Sequence, residues 1–551
     1  MRIKLNFLIN LFFPLLVATL AQWIDFQLDF TQDQRYTLNS STIETLETLD
    51  RPIKIDVFLS GKLPADYLRL LGEIKGLIQS MEAHSKKIFI EYIDPYEGAS
   101  NSAELINEMN QYGISPEYIL SQKNQALEQM IIFPWAIVSD GNKTFRIPLI
   151  TNKLGDNRQE KLNRSIAQIE FKFFDTFFKL NRKQKKKIAV LTSHGTSENK
   201  KITDLMKDLQ PYYKLASFDM KALEKDPIKT LENLKRFELL VISNPKNAFS
   251  KEEKYIMDQH FINGGKQLWM INPVDINQDS LFNPEGNAVA SRIELNMSNI
   301  FFKYGFRLEK NLVKDLYCAP IVLATGTQNQ TQYLPIPWPY YPLVQPSNHL
   351  IGNGISNLWL KFASTIDTLK STAKKTVLLA TSDFSQKVKL PINIQLNEAS
   401  EKLIPSSFNQ PSQTVGILIS GNLFSAFKNR IKPFKLDNHA EKGESEMIIF
   451  SDGTLAENQL EKGNPLVLGY DKWTNNFYGN KVFLKNSIHY LMNDYDLLKI
   501  RNKSITLPIF DLESVSQKSN RWRIALLILP LILLGGIGTI FSRFRKSRYG
   551  Q

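Results

Sequence analysis

Two uncharged apolar stretches, one near each end of the chain, constrain this sequence more than any other feature. Residues 5–24 read LNFLINLFFPLLVATLAQWI, and residues 522–541 read WRIALLILPLILLGGIGTIF, uncharged beyond Arg523. About 20 apolar residues suffice for a helix to span the hydrocarbon core of a bilayer. Arg2 and Lys4 precede the first stretch, while Asp25 and Asp29 follow it; the second is followed by Arg543, Arg545, Lys546 and Arg548. Positive flanks stay on the cytoplasmic side, so both termini are expected there and the intervening chain outside. Trp522 suits the interfacial belt, and Arg543, Arg545 and Lys546 complete the anchor. A cleaved signal peptide is the competing reading of the first stretch, but a small-x-small cleavage site is poor around residues 18–22.

Two spans cannot build a transport pathway between repeats, so the chain reads as an anchor carrying an external body and not as a permease. The phosphate-cradling GxxxxGK[ST] pattern is absent, so it is not an ATPase. The net charge of +13 is spread along the chain; its one dense run, Arg182, Lys183, Lys185, Lys186 and Lys187, lacks interleaved aromatics and reads as a solvated linker. No nucleic-acid partner is expected. One cysteine and six scattered histidines give no metal spacing, so neither a metal nor another cofactor is expected.

The external region divides by pattern. Residues 25–180 carry strand, helix, strand order (IKIDVFL at 53–59, a helix over 67–84, KIFIEYI at 87–93), then a hairpin around Asp140-Gly141-Asn142 and a phenylalanine-rich helix over 164–180. This predicts a thioredoxin-like α/β unit without a CxxC pair, hence without its redox chemistry. Residues 185–275 alternate apolar strands (KIAVLT, FELLVIS, QLWMIN) with helices, predicting a doubly wound parallel sheet. Residues 276–515 continue it less regularly. Within them Pro335-Ile336-Pro337-Trp338-Pro339-Tyr340-Tyr341-Pro342 is expected to be an extended segment that displays Trp338, Tyr340 and Tyr341 for partner contact, because proline lacks the N–H that a central strand needs.

His194-Gly195-Thr196 with Glu198 follows the first strand of the doubly wound unit, a common ligand position. His194 and Glu198 are of the right types for an acid and a base, but no nucleophile elbow follows the next strand, where Ser243-Asn244-Pro245 stands. A capped strand–helix turn is the preferred reading, with ligand contact by these four residues as the alternative and no catalytic residue assigned. Cys318 reads as a packed small hydrophobe.

Six tracts together resemble a known family: residues 28–38 (LDFTQDQRYTL), 53–64, 188–198 (IAVLTSHGTSE), 239–245, 319–326 (APIVLATG) and 335–343. In these the chain resembles the gliding-motility-associated ABC transporter auxiliary proteins, the G component of the Gld system of Bacteroidota, over essentially its whole length. That resemblance implies a class I glutamine-amidotransferase-like external domain without the catalytic cysteine, a fold shared with an intraflagellar-transport protein. It also implies separate permease and ATPase partners at the inner membrane and a role in gliding motility or secretion, with an envelope or exported molecule as a further partner. Two other readings remain open: a periplasmic hydrolase using His194 and Glu198, and a solute-binding protein of an importer.

Overall fold

The computed structural model describes residues 37–97, 101–123, 126–151, 157–221, 226–325, 332–503 and 519–550. The chain is mixed α/β and separates into a body ending at Lys503 and a C-terminal unit beginning at Ser504.

The body opens with helix α1 (Ser40–Glu47), capped by the Asn39 side chain. Strand β1 (Ile53–Val57), helix α2 (Ala65–His84) and strand β2 (Ile88–Tyr92) form a right-sized parallel crossover. Strands β3 (Trp135–Ser139) and β4 (Thr144–Pro148) complete a four-stranded sheet in the order β2-β1-β3-β4, with β3 and β4 antiparallel. The hairpin around Asp140 is present, but the strand expected from Met130 is interrupted. Residues Ala126–Ile132 pair back onto Glu117–Lys123, and Pro134 separates that hairpin from β3. The phenylalanine-rich helix is two helices, α3 (Arg158–Ala167) and α4 (Ile169–Asn181), broken at Gln168.

The larger sheet has seven strands. Its parallel part comprises β5 (Lys187–Leu191), β6 (Lys214–Phe218), β7 (Leu239–Ser243), β8 (Lys266–Met270) and β13 (Lys442–Phe450). Numbered along the chain these five run 2-1-3-4-5, the flavodoxin-like doubly wound order. The expectation of a parallel sheet needs correction at one edge, where Lys374–Ala380 (β11) and Thr414–Phe424 (β12) join antiparallel. Both come from the irregular stretch, so that stretch completes the sheet. Helices α5 (Asn199–Leu209) and α7 (Asn480–Leu491) cover one face, where Leu205, Leu209, Leu484 and Ile488 are buried. Residues Pro227–Leu234 and α6 (Lys251–Ile262) cover the other, with Leu231, Tyr255 and Phe261 buried. Phe174 of α4 enters the first of these cores and fuses the N-terminal sheet to the main one.

The proline–aromatic run is the interior of a 13-residue strand, β10 (Gln332–Val344), paired antiparallel with β9 (Cys318–Thr325). Prolines 335, 337 and 339 recur with the strand's period of two. Their missing donors therefore fall on one edge and leave the other free to pair. The expected display of the rings is overturned: Trp338, Tyr340 and Tyr341 are buried together with Leu312, Trp359 and Phe362. The basic run is not a solvated linker either. Arg182 and Lys186 both pair with the buried carboxylate of Asp494, and Lys183 pairs with Asp50.

The first and last described residues of the body meet. Lys503 Nζ donates to the Thr37 carbonyl (2.8 Å) and to Glu170 Oε2 (2.9 Å). Glu170 Oε1 in turn accepts from Asn39 N and Thr42 Oγ1. In the C-terminal unit a helix, Ser519–Tyr549, carries Trp522, Arg543, Arg545 and Lys546. It is long and apolar enough to cross a membrane, the one such helix among the described residues. The proposed span at 5–24 lies outside the described residues.

Candidate functional site

In an open parallel sheet the ligand position is the crevice at the carboxyl ends of the strands, where the strand order reverses. Here that point lies between β5 and β7, flanked by the 192–198 and 244–250 loops. His194 and Gly195 adopt positive φ (65° and 64°), which turns the chain sharply after β5. Thr196 Oγ1 donates back to the Leu191 carbonyl (3.0 Å) and closes the strand end. The facing loop then seals the crevice: Lys246 N and Asn247 N both donate to the His194 carbonyl (2.8 and 3.0 Å), and Ser197 N donates to the Ser243 carbonyl (2.9 Å).

The His194 ring is buried. It stacks on Phe249 at 4.1 Å, with Nδ1 2.9 Å from Ser193 Oγ and Nε2 3.0 Å from Glu253 Oε2. Glu253 is also the third residue of α6, where it completes a capping box with Ser250. Burial pushes the Glu253 carboxyl up, but hydrogen bonds from His194 and the Ser250 backbone outweigh it and hold it below the usual range. His194 is thus a pin between the β5 loop and α6. Glu198 stands apart: it is exposed at the start of α5 and makes no side-chain capping bond. The structure does not bring His194 and Glu198 together as acid and base.

Next to the sealed crevice lies a polar cluster absent from the sequence-based candidates. Ser197 Oγ donates to Glu457 Oε1 (2.7 Å) and sits 3.0 Å from Ser243 Oγ; Asn244 Nδ2 reaches the same carboxylate oxygen (3.2 Å). Asn244 has φ 51°, so an amide occupies the strained strand-to-helix turn where a nucleophile elbow would present its side chain. Asp452 is buried and accepts from Lys361 N, Thr454 N and Thr454 Oγ1; burial pushes its carboxyl up to about 6. The Ser451-Asp452-Gly453-Thr454 loop directly after an apolar strand was the legible signal for this part of the site.

Beyond Asp452 a cavity of about 440 Å³ opens between the β9–β10 ribbon and the 459–473 loop. Tyr341, Trp359, Lys361, Tyr333 and Trp473 line it. Tyr341 is therefore both a core residue and a cavity wall, whereas Trp338 and Tyr340 pack behind it. Cys318, on the same ribbon, has its thiol pushed up to about 12 by burial and the nearby Asp315 carboxylate, so it stays protonated at neutral pH.

The same region carries the family assignment. A family described as ABC-type uncharacterized transport system matches residues 185–487, more than half of the chain. The chain belongs to that family. As an ABC transport auxiliary protein it has an accessory role and associates with transporter components. In this family member the matched segment holds the whole seven-stranded sheet, the polar cluster and the aromatic cavity. Residues 32–139 match a domain of unknown function, DUF7088. No curated protein matches the chain. Among solved structures it is similar to the mmIFT52 N-terminal domain, at 13% identity and a TM-score of 0.33, covering 56% of this chain and 97% of that one.

Proposed function

We propose that this auxiliary protein is a non-catalytic subunit anchored in the inner membrane through residues 5–24 and 522–541. It holds its body on the periplasmic side against separate permease and ATPase subunits, in a transporter serving gliding motility or secretion. One observation carries the topology: the first and last described residues of the body, Thr37 and Lys503, are hydrogen-bonded to each other. Residues 37 and 503, the described residues of the body nearest in sequence to the two apolar stretches, therefore lie side by side, which supports two anchors in a single membrane.

The strand order β2-β1-β3-β4, with a parallel first pair, supports reading residues 25–180 as a thioredoxin-like unit. The 2-1-3-4-5 order supports reading residues 185–275, completed by 276–515, as an amidotransferase-like unit. Non-catalysis is supported by a sealed crevice, a histidine engaged at both ring nitrogens, and an asparagine at the elbow turn. The test is affinity purification from membranes in mild detergent, with protease added to intact spheroplasts. A permease and an ATPase are expected to co-purify, and the body to be cleaved from outside. A protected body, or a chain purified without either subunit, overturns the proposal.

A further inference from the structure

Ile431 is 95% exposed, more than any apolar side chain of the membrane-competent helix, where Leu526 reaches 74%. A single bare apolar side chain needs no explanation, but the setting of this one does. It sits on the loop that joins β12 to β13, and both limbs of that loop are pinned to α6. Ser425 Oγ and the Ala426 N–H donate to Asp258, and the Ala440 N–H donates to Gln259 Oε1 (2.9 Å). Phe427 and Phe434 both pack on the Tyr255 ring, with 4.8 and 4.9 Å between centres. Residues 428–433 lie between these two aromatic pins, and Asn429, Arg430, Ile431 and Lys432 are all exposed. Asn429 adopts a φ of 59°, which turns the chain there. The loop is thus fixed at its base and presents Ile431 outward.

The charges around that tip restrict what it meets. From Phe424 to Lys435 the chain carries Lys428, Arg430, Lys432 and Lys435 and no acid; Asp437 and Glu441 come only after the second phenylalanine. None of the four cations forms an ion pair among the described residues. Lys428 Nζ instead lies 4.1 Å from the centre of the Phe424 ring, itself 45% exposed. A bilayer with anionic headgroups satisfies both halves of this pattern. The phosphates meet the cations, and the acyl boundary directly beneath them takes the apolar tip. We propose that the 424–435 loop is a reversible membrane contact, docking on anionic lipid with Ile431 inserted below the headgroups. The proposal rests on the anchoring of the chain in a bilayer, which keeps lipid at high local concentration, so a contact that is weak by itself suffices.

The full chain is reconstituted into nanodiscs of phosphatidylcholine alone and of phosphatidylcholine with about 30% phosphatidylglycerol, and trypsin cleavage after Arg430 is timed in each. Cleavage is expected to be about tenfold slower in the anionic discs. The triple variant Lys428→Gln, Lys432→Gln, Lys435→Gln keeps the cleavage site and is expected to be cut at one rate in both discs; any effect of the lipid on the protease is shared with the parent. Ile431→Ser keeps the charge and is expected to lower the protection about threefold. None of these four side chains is buried, so the variants retain the fold, checked by an unchanged melting temperature. Equal rates for the parent in both discs overturn the proposal and leave the anchoring intact. So does protection that the triple variant keeps. Protection confined to native membrane vesicles assigns the loop to a protein partner and overturns it as well. A chain that enters neither disc overturns the anchoring and this proposal together.

Discussion

His194 shows how a residue type suited to catalysis is spent on architecture. With one ring nitrogen on Ser193, the other on Glu253 and its face on Phe249, it ties a loop to the first turn of α6. His194→Ala is expected to destabilise the body by about 2–4 kcal/mol in denaturant unfolding, since it orphans a buried carboxylate and removes a stacked ring. Glu198→Ala, at an exposed position, is expected to stay within about 0.5 kcal/mol of the parent. His260 gives a pH signature. Burial pushes its imidazole down to about 4, so the folded chain resists a proton that the unfolded chain accepts near 6.5. Its stabilising contribution is complete above about 6.5 and is lost as pH falls toward 4, a change of about 3 kcal/mol. Melting curves from pH 7 to 4.5 are expected to show His260→Gln losing less stability on acidification than the parent, all other groups being shared. The chemistry of these histidines was visible in the sequence. Their partners were not, because Glu253 is 59 residues from His194 and no local spacing announces the pair.

At the scale of elements, strand β10 and helix α6 depart most from sequence patterning. Prolines normally mark an edge or a loop, yet their spacing of two keeps β10 in a ladder while Trp338, Tyr340 and Tyr341 go inward. Trp338→Ala is therefore expected to act on folding, lowering stability by about 3–5 kcal/mol in thermal or denaturant unfolding, before any effect on assembly. Helix α6 carries Glu253, Lys254, Asp258, Gln259 and His260 and reads as a surface helix, but all five are buried. The 374–450 stretch covers part of it: Asp258 accepts from Ser425 Oγ and the Ala426 N–H, with Tyr304 as a further donor from outside that stretch, and Gln259 pairs with the Ala440 backbone. Strand β13 also crosses the end of α6 so closely that a Cβ on Gly443 would collide with the Ile262 carbonyl. Gly443→Ala is expected to destabilise by about 2 kcal/mol or more, because neither backbone can withdraw. The sheet strands and most helices were legible from apolar period and capping residues; which faces they bury depends on a segment more than a hundred residues away.

For the whole molecule, the decisive contacts join residues 39–42 to residue 503 and the N-terminal part of the body to the main one. Glu170 holds Asn39, Thr42 and Lys503 together, and Asp494 holds Arg182, Lys186 and Tyr213. Both carboxylates are buried acceptors serving several donors, the arrangement in which removing one partner is most damaging. Glu170→Ala is expected to lower stability by about 3 kcal/mol and to release both ends together, seen as faster proteolysis near residues 37 and 503 than in the parent.

The sequence by itself determined the α/β class, the strand and helix order of the sheet-forming segments and a membrane-competent C-terminal helix. Each follows from local spacing, composition or capping. Only the tertiary structure decided that the ligand crevice at β5 and β7 is sealed, that the proline-flanked aromatics are core, and that the open cavity lies elsewhere. It also decided that residues 37 and 503 meet. Those outcomes depend on groups far apart in the chain competing for the same buried space and the same hydrogen-bond donors, and no local pattern records which of them wins.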